Sequence, residues 1–222
     1  MHLLNSYPMS SHPIVNVLLL VPVFLGSLAI HEFSHAWIAV KCGDLTPKRL
    51  GRLCLHPMAH ADFVGTIALP AICIFFGWPF FGWAKPVPVQ IQNLRRGKKD
   101  MALVALAGPL SNFLLAILAT GFLAIVIRLP IGSKLFWGLR LVAVVSIEVN
   151  LMLAFFNLIP LPPLDGSMVV KGFLSEKGTL VYRRIAWVGT VVLVVMLFSG
   201  GLSILGKPVL EGARFLIALA SP

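Results

Sequence analysis

Charged side chains are scarce in this chain: they make up 12% of its 222 residues, against 58% hydrophobic. A water-soluble domain of this length needs more polar surface to cover its core, so the composition excludes an ordinary soluble protein and points to a lipid bilayer as solvent. Acidic residues are scarcer still, 8 against 18 Lys and Arg, which leaves a formal charge of +10. Taken alone, that excess suits nucleic acid or anionic lipid. Its placement decides, because thirteen of the 18 basic residues fall in three short clusters between apolar runs, at residues 41–52, 85–99 and 171–184. Loops on the cytoplasmic side of a membrane protein carry this bias, so nucleic acid is set aside as a partner. Arg128, Lys134, Arg140, Lys207 and Arg214 lie elsewhere. Cysteine is limited to Cys42, Cys54 and Cys73, an odd count without a CxxC pair, which excludes a disulfide framework. Residues 1–13 lack Lys and Arg, and the apolar run after them carries a polar cluster in place of a small-residue cleavage site. It reads as a retained first membrane helix. No internal repeat or low-complexity linker divides the chain, so residues 1–222 are expected to form one domain.

What is present is a series of apolar segments. The first, residues 14–40, exceeds the roughly 20 residues that cross hydrocarbon. Gly43 and Asp44 end it, and residues 46–57, with Leu50, Leu53 and Leu55 among Arg49, Gly51 and Arg52, read as a small β-hairpin. A second segment, 65–83, is interrupted by Pro70, Gly77, Pro79 and Gly82. If it crosses fully, the basic cluster at 85–99 lands opposite the one at 41–52, against the charge bias. A re-entrant or extended passage removes the conflict, with residues 83–89 held extended by Pro86 and Pro88 and lining a cavity; a short crossing helix followed by a proline-rich loop is the alternative. Segments 101–127 and 138–156 form an antiparallel pair. Pro160, Pro162 and Pro163 forbid helix across 157–165, residues 169–173 form a short element, 185–205 a last crossing, and the tail 211–220 is too short to span. The fold expected is an all-α polytopic membrane protein of five to six membrane segments.

Chemistry concentrates in the first segment. His31-Glu32-Phe33-Ser34-His35 places two imidazoles four residues apart, about one helical turn, so both reach one ion, and Glu32 projects at roughly 100° from His31 toward a water. An HExxH match in a soluble protein is weak, but two His and a Glu at membrane depth are costly without a role. Zinc suits imidazole and carboxylate ligands and keeps a position open for water. A third ligand must come from elsewhere, and Asp165 is the best candidate, since three prolines fix the backbone before it and Gly166 permits a tight turn after it. A helix-capping Asp is the competing reading. Glu32 would take a proton from water and return one to the leaving amine. Asn157 or Asn112 offers a neutral amide to a developing oxyanion, unless either serves as polar glue between helices. His60 and Asp62 form a supporting pair or gate beside the site, or lie on the surface. Glu148 faces a substrate cavity, bonds near Asn150, or sits at the outer interface. Lys85, Pro86, Val87, Pro88 and Val89 offer an extended edge to an unwound substrate, or act only as a tether between helices.

These motifs, together with Gly51-Arg52-Leu53, His60-Ala61-Asp62, Gly82-Trp83-Ala84-Lys85-Pro86-Val87-Pro88-Val89, Ala107-Gly108-Pro109-Leu110-Ser111-Asn112 and Phe156-Asn157 through Asp165-Gly166, run in order over most of the chain. The sequence resembles the site-2 protease family, the intramembrane zinc metalloproteases of peptidase family M50, in its compact bacterial and archaeal form without a PDZ domain. The resemblance implies one zinc ion per chain on His31, His35 and Asp165, Glu32 as catalytic base, and Asn157 placing the scissile carbonyl or stabilising its oxyanion. It implies a prokaryotic cell-membrane enzyme whose site opens to the cytoplasm. Its substrate would be the transmembrane segment of another protein or a membrane-peptide remnant. His56, where related members carry Asn, and Phe63, in place of Pro, depart from the pattern without touching the proposed metal set. Two other classes compete: a transporter or channel with polar residues along an ion path, and a non-catalytic zinc-binding membrane adaptor, against which an intact Glu32 weighs. The resemblance leaves the oligomeric state open.

Overall fold

The computed structural model describes residues 13–76, 82–130, 132–199, 201 and 203–220. The expectations for residues 1–12, for Gly77 and Pro79, and for residues 200 and 202 of the last segment lie outside the described residues. Ten α-helices follow in order among the described residues: α1 Pro13–Lys41, α2 Thr46–Arg49, α3 Pro57–His60, α4 Leu69–Phe75, α5 Lys98–Arg128, α6 Ser133–Asn157, α7 Asp165–Phe173, α8 Glu176–Arg184, α9 Ala186–Ser199 and α10 Ser203–Ala220. A π-helical turn, Phe63–Ala68, leads into α4, and a 3-10 turn, Ile91–Asn93, precedes α5.

Three of these helices are long and apolar enough to cross a membrane, Ile14–Lys41, Lys98–Arg128 and Lys134–Asn157. The expected count of five to six membrane segments is thus not confirmed. Among the described residues of the second apolar segment the turn and α4 run together from Phe63 to Phe75, and α9 has 14 residues. Both fall short of the roughly 20 needed to span.

The β-hairpin expected at 46–57 is also overturned, since no strand occurs among the described residues. Pro47 and Pro57 each stand in the first turn of a short helix, where a fixed φ and a missing N–H favour helix and deny a sheet ladder its donor. The apparent alternation of Leu50 and Leu55 therefore marks no buried face, and both are exposed.

α1 stops where Gly43 takes φ of 113°. Gly43 N donates to Val40 O at 3.1 Å and Asp44 N to Ala39 O at 2.9 Å, the paired bonds of a Schellman cap. The cap turns Asp44 inward, where it is fully buried. α1, α5 and α6 form the core of the molecule. Leu20, Phe24 and Leu28 of α1 meet Val145, Val149 and Leu153 of α6, while Ala116 and Leu123 of α5 pack with Ala143 and Ile147 of α6 and with Val209 and Ala213 of α10. Small side chains let such helices approach closely in lipid. The polarity is inverted relative to a soluble bundle: Leu110, Leu114, Ile117 and Ile125 of α5 are exposed, while Ser27, His31, Glu32, His35, Asn112 and Asn150 are buried.

Residues 82–90 adopt neither helix nor strand and form an extended strap along the edge of the bundle. Trp83 N donates to Gly65 O and Lys85 N to His60 O, both at 2.9 Å, so the two ends of the second apolar segment lie side by side. Gln90 N donates to Asp44 Oδ2 at 2.7 Å, and Arg95 N to Cys42 O at 3.1 Å. The basic clusters at 41–52 and 85–99 therefore share one end of the bundle. Lys98 Nζ, 2.6 Å from Glu176 Oε1, brings the third cluster to the same end.

Burial pushes the Asp44 carboxyl upward in pKa. The Thr46 hydroxyl, the Gln90 backbone amide and the Asn93 side chain outweigh it and hold the group below its ordinary value of 3.8. A depressed value in the folded state means that Asp44 stabilises the strap above the unfolded pKa and that this contribution is lost as pH falls through the folded one. Asp44→Asn removes the charge that four donors address, and a hydrogen bond to a charged group is worth about 1.5–3 kcal/mol. Faster amide exchange at Gln90 is expected in D44N at pH 7, with the difference from the parent protein shrinking in acid; equal exchange at neutral pH would contradict this.

Candidate metal centre

The described side chains include a metal-type cluster formed by His31, His35 and Asp165, whose ligand atoms all lie within 4.8 Å of one another. α1 supplies the imidazoles from adjacent turns, their Nε2 atoms 3.0 Å apart. Asp165 is the first residue of α7, and its Oδ2 lies 3.1 Å from His31 Nε2 and 3.3 Å from His35 Nε2. Lys41 is ten residues along α1 from His31, about 15 Å at 1.5 Å per residue. That rise is about half of the roughly 30 Å thickness of a bilayer's hydrocarbon.

The loop before Asp165 is secured from outside. Tyr182 donates its hydroxyl to Pro160 O at 2.6 Å, and Thr190 to Pro162 O at 3.2 Å. A side chain at Gly166 would strike the carbonyl oxygens of Leu158 and Ile159, which accounts for glycine after the aspartate. A further close contact comes from α5, where a methyl group at Gly108 would lie 2.5 Å from His35 Nε2 and 2.6 Å from His31 Nε2. Gly108 is therefore the floor of the cluster.

Hydrogen bonding fixes what the cluster presents. His35 Nδ1 is 2.7 Å from Val104 O, an atom that only accepts, so Nδ1 carries a proton and in the neutral ring the lone pair is on Nε2. His31 Nδ1 is 2.6 Å from Asn112 Oδ1, which imposes the same form. With both rings neutral, two lone pairs and a carboxylate oxygen converge, an arrangement that calls for a cation between them, a proton or a metal ion. Separations of 3.0–3.3 Å match the edge of about 3.3 Å expected for tetrahedral zinc with bonds of about 2.0–2.1 Å. The residues fit a zinc ion.

Glu32 is buried beside these rings, and its Oε2 accepts the Val87 backbone N–H at 3.1 Å. The other expected residues are more dispersed. Asn157 ends α6, with its amide nitrogen donating to Leu153 O at 2.9 Å. Asn112 is fully buried and its nitrogen donates to Asn150 Oδ1 at 2.8 Å, which commits it to the His31 side of the site. His60 and Asp62 do not pair: His60 Nε2 lies 2.9 Å from Cys54 O, while Asp62 Oδ1 caps the π-helical turn at Gly65 N. Glu148 is buried on α6. Among Lys85, Pro86, Val87, Pro88 and Val89, only Val87 bonds to Glu32.

Sequence reasoning missed three participants: Gly108, Asn150 and the Val87 amide. The spacing Gly108-x-x-x-Asn112 held a signal for the first, because residues four apart share a helix face, and Asn112 faces the same ring that Gly108 admits.

Helices that hold a buried dihistidine–carboxylate cluster next to a glutamate define a membrane-embedded metallohydrolase, and comparison with known proteins supports this class. The model of a family described as Peptidase family M50 matches residues 120–200, a stretch containing Asn157 and Asp165. A Bacillus subtilis (strain 168) protein named "Putative zinc metalloprotease YwhC" is 38% identical over 169 residues, covering 74% of this chain and 71% of that one. "Putative zinc metalloprotease MJ0611" of Methanocaldococcus jannaschii is 32% identical, covering 75% of each chain. "Putative zinc metalloprotease Rip2" of Mycolicibacterium smegmatis is 26% identical, covering 84% of this chain and 69% of that one. No solved structure matches. The chain belongs to peptidase family M50, the site-2 protease family. It is a membrane zinc metalloprotease, and the transport and adaptor readings give way to that finding.

Gly108→Ala puts a methyl group into both imidazoles. Overpacking of this kind costs about 1–3 kcal/mol, and here the rings must move. The variant is expected to retain helical content but to bind zinc at well below the parent's stoichiometry, as read by metal analysis after dialysis. Parental zinc content in G108A would show that the rings tolerate the displacement.

Proposed function

We propose that this protease hydrolyses a peptide bond in the transmembrane segment of a membrane protein, or in a membrane-peptide remnant, within the prokaryotic cell membrane. His31, His35 and Asp165 hold the zinc, Glu32 is the base, and Asn157 orients the scissile carbonyl or its oxyanion. The carrying observation is the convergence of two Nε2 atoms and the Asp165 carboxylate at 3.0–3.3 Å next to buried Glu32. Zinc, when bound, supplies Lewis acidity toward water and the peptide carbonyl.

The protein groups do the rest. Glu32 accepts a proton from the attacking water and returns it to the departing amine, so one peptide bond and one water become a carboxylic acid and an amine. Val87 N–H occupies Oε2 and leaves Oε1 for this transfer. Asn157 Nδ2 has a second hydrogen beyond the one given to Leu153 O, available to the carbonyl oxygen. A helical substrate must unwind first, since its carbonyls are engaged internally.

Lys85, Pro86, Val87, Pro88 and Val89 border the incoming chain in this reading. The N–H groups of Trp83, Lys85 and Val87 turn toward the protein. In an extended chain the intervening residues face the other way, where Pro86 and Pro88 present carbonyls without N–H donors. The convergence of three basic clusters at one end supports a cytoplasmic mouth. Residues 1–222 act as one membrane domain. Release of a regulator and clearance of peptide remnants are the two uses this chemistry serves.

The test is cleavage of a panel of single-span substrates by the protein in liposomes. Chelator is expected to abolish cleavage and added zinc to restore it. Glu32→Gln should lower the rate by roughly 10²–10⁴ while zinc content stays at the parental level. Undiminished cleavage by E32Q removes Glu32 from the mechanism.

A further inference from the structure

The hydrogen bonds around His31 extend beyond its immediate partner, and their direction is set at the far end. Asn150 Nδ2 lies 2.8 Å from Ser146 O on its own helix, α6, and 3.0 Å from Ser27 Oγ on α1. A backbone carbonyl only accepts, so Asn150 must present its amide nitrogen there, which turns Oδ1 toward α5. That oxygen needs a donor and meets Asn112 Nδ2 at 2.8 Å. Asn112 Oδ1 is thereby directed at His31 Nδ1, 2.6 Å away, and requires an N–H. The neutral imidazole has no second choice: its proton is on Nδ1 and its lone pair on Nε2, toward His35 and Asp165.

We infer that Asn112 and Asn150 form a two-amide relay through which the Ser146 carbonyl sets the tautomer and tilt of His31, making both asparagines positioning residues for the zinc site. The inference rests on reading His31 as a zinc ligand. His35 obtains the same setting in one step from Val104 O; His31 is linked to the Ser146 carbonyl through two amides. A neutral amide transmits hydrogen-bond direction without bringing a further charge to membrane depth, where ionised groups are expensive. Both amides are buried, Asn112 at 0% and Asn150 at 3% exposure, so water does not substitute for either.

Simple glue between helices would use the same residues but would act on stability alone. Zinc affinity, measured by competition with a chromogenic chelator in detergent, separates the two roles, with the melting temperature of the metal-free protein recorded alongside. Loss of an outer hydrogen-bond partner of a metal-binding histidine weakens affinity 10–100-fold, and Asn112→Leu is expected to fall in that range. N150L should weaken zinc binding less, since Asn112 is left in place but free to flip. The double variant should bind zinc within about twofold of N112L, because Asn150 acts through Asn112. N112D keeps an acceptor for His31 Nδ1 and is expected to bind at least tenfold more tightly than N112L.

Parental affinity in both leucine variants, or fully multiplicative losses in the double variant, would overturn the relay. H31A separates the two levels of inference. If H31A alone loses zinc, only the relay fails; if H31A binds zinc like the parent, the ligand assignment fails with it. Should the leucine variants not fold, nitrogen-15 shifts of the His31 ring in the metal-free parent protein at alkaline pH answer the question without substitution. A protonated Nδ1 upholds the relay, and a protonated Nε2 overturns it.

Discussion

Two imidazole nitrogens and a carboxylate oxygen face one another at 3.0–3.3 Å, and much of the fold near them holds that geometry. In water, either ring would turn away or take up a proton. Here Val104 O and Asn112 Oδ1 hold both Nδ1–H groups from behind, Gly108 removes the side chain that would otherwise fill the space in front, and Asp165 brings a negative oxygen to the same point. Each addition improves the cluster as a holder of a cation. Binding free energy therefore enters directly as stability of the folded state.

The bilayer explains why the supporting groups are arranged as they are. Polar side chains inside hydrocarbon must find one another or pay their desolvation in full. Ser27, Asn112 and Asn150 solve this across three helices, with each amide donating to the next. The result differs from a soluble core in what carries specificity. Apolar contacts between α1, α5 and α6 resemble contacts with lipid and discriminate weakly among helix rotations, whereas a buried asparagine misaligned by one position loses its partners. The relay that orients His31 thus also fixes the rotation of α5 and α6 about their axes.

The legible part of the sequence was the part written in local spacing. His31 and His35 fall on one face because a helix repeats every 3.6 residues, and Asp165 stood out because prolines before it and Gly166 after it leave the backbone little choice. Charge clusters indicated that residues 41–52 and 85–99 belong on one side, and the Arg95–Cys42 and Gln90–Asp44 bonds join them there. The hairpin reading failed because alternating leucines were weighed above Pro47 and Pro57, although a proline in a first turn specifies helix more strongly than side-chain alternation specifies strand in so short a stretch. The span count is less legible because hydropathy does not register where a helix breaks: among the described residues of the second segment there is one short helix, and Trp83 N bonds back to Gly65 O. Asn150 and the Val87 amide were illegible for another reason. Their importance lies in backbone approach and hydrogen-bond direction between helices, and neither leaves a periodic trace along one strand of sequence.

The strap shows how few contacts set the geometry of the base. Between Lys85 and Val89 the backbone has a single N–H, that of Val87, because Pro86 and Pro88 on either side have none. The prolines also hold the chain extended, so alternate residues face opposite ways. With Lys85 N tied to His60 O and Gln90 N tied to buried Asp44, the Val87 N–H can point only inward, where it meets Glu32 Oε2. A flexible, donor-rich segment in the same place would offer the carboxylate several competing bonds and several orientations. Removing the competing donors leaves Glu32 one protein partner on the strap and one oxygen turned away from it. Pro86 and Pro88, read from the sequence as holding an extended passage beside a cavity, are at this position what orients the carboxylate.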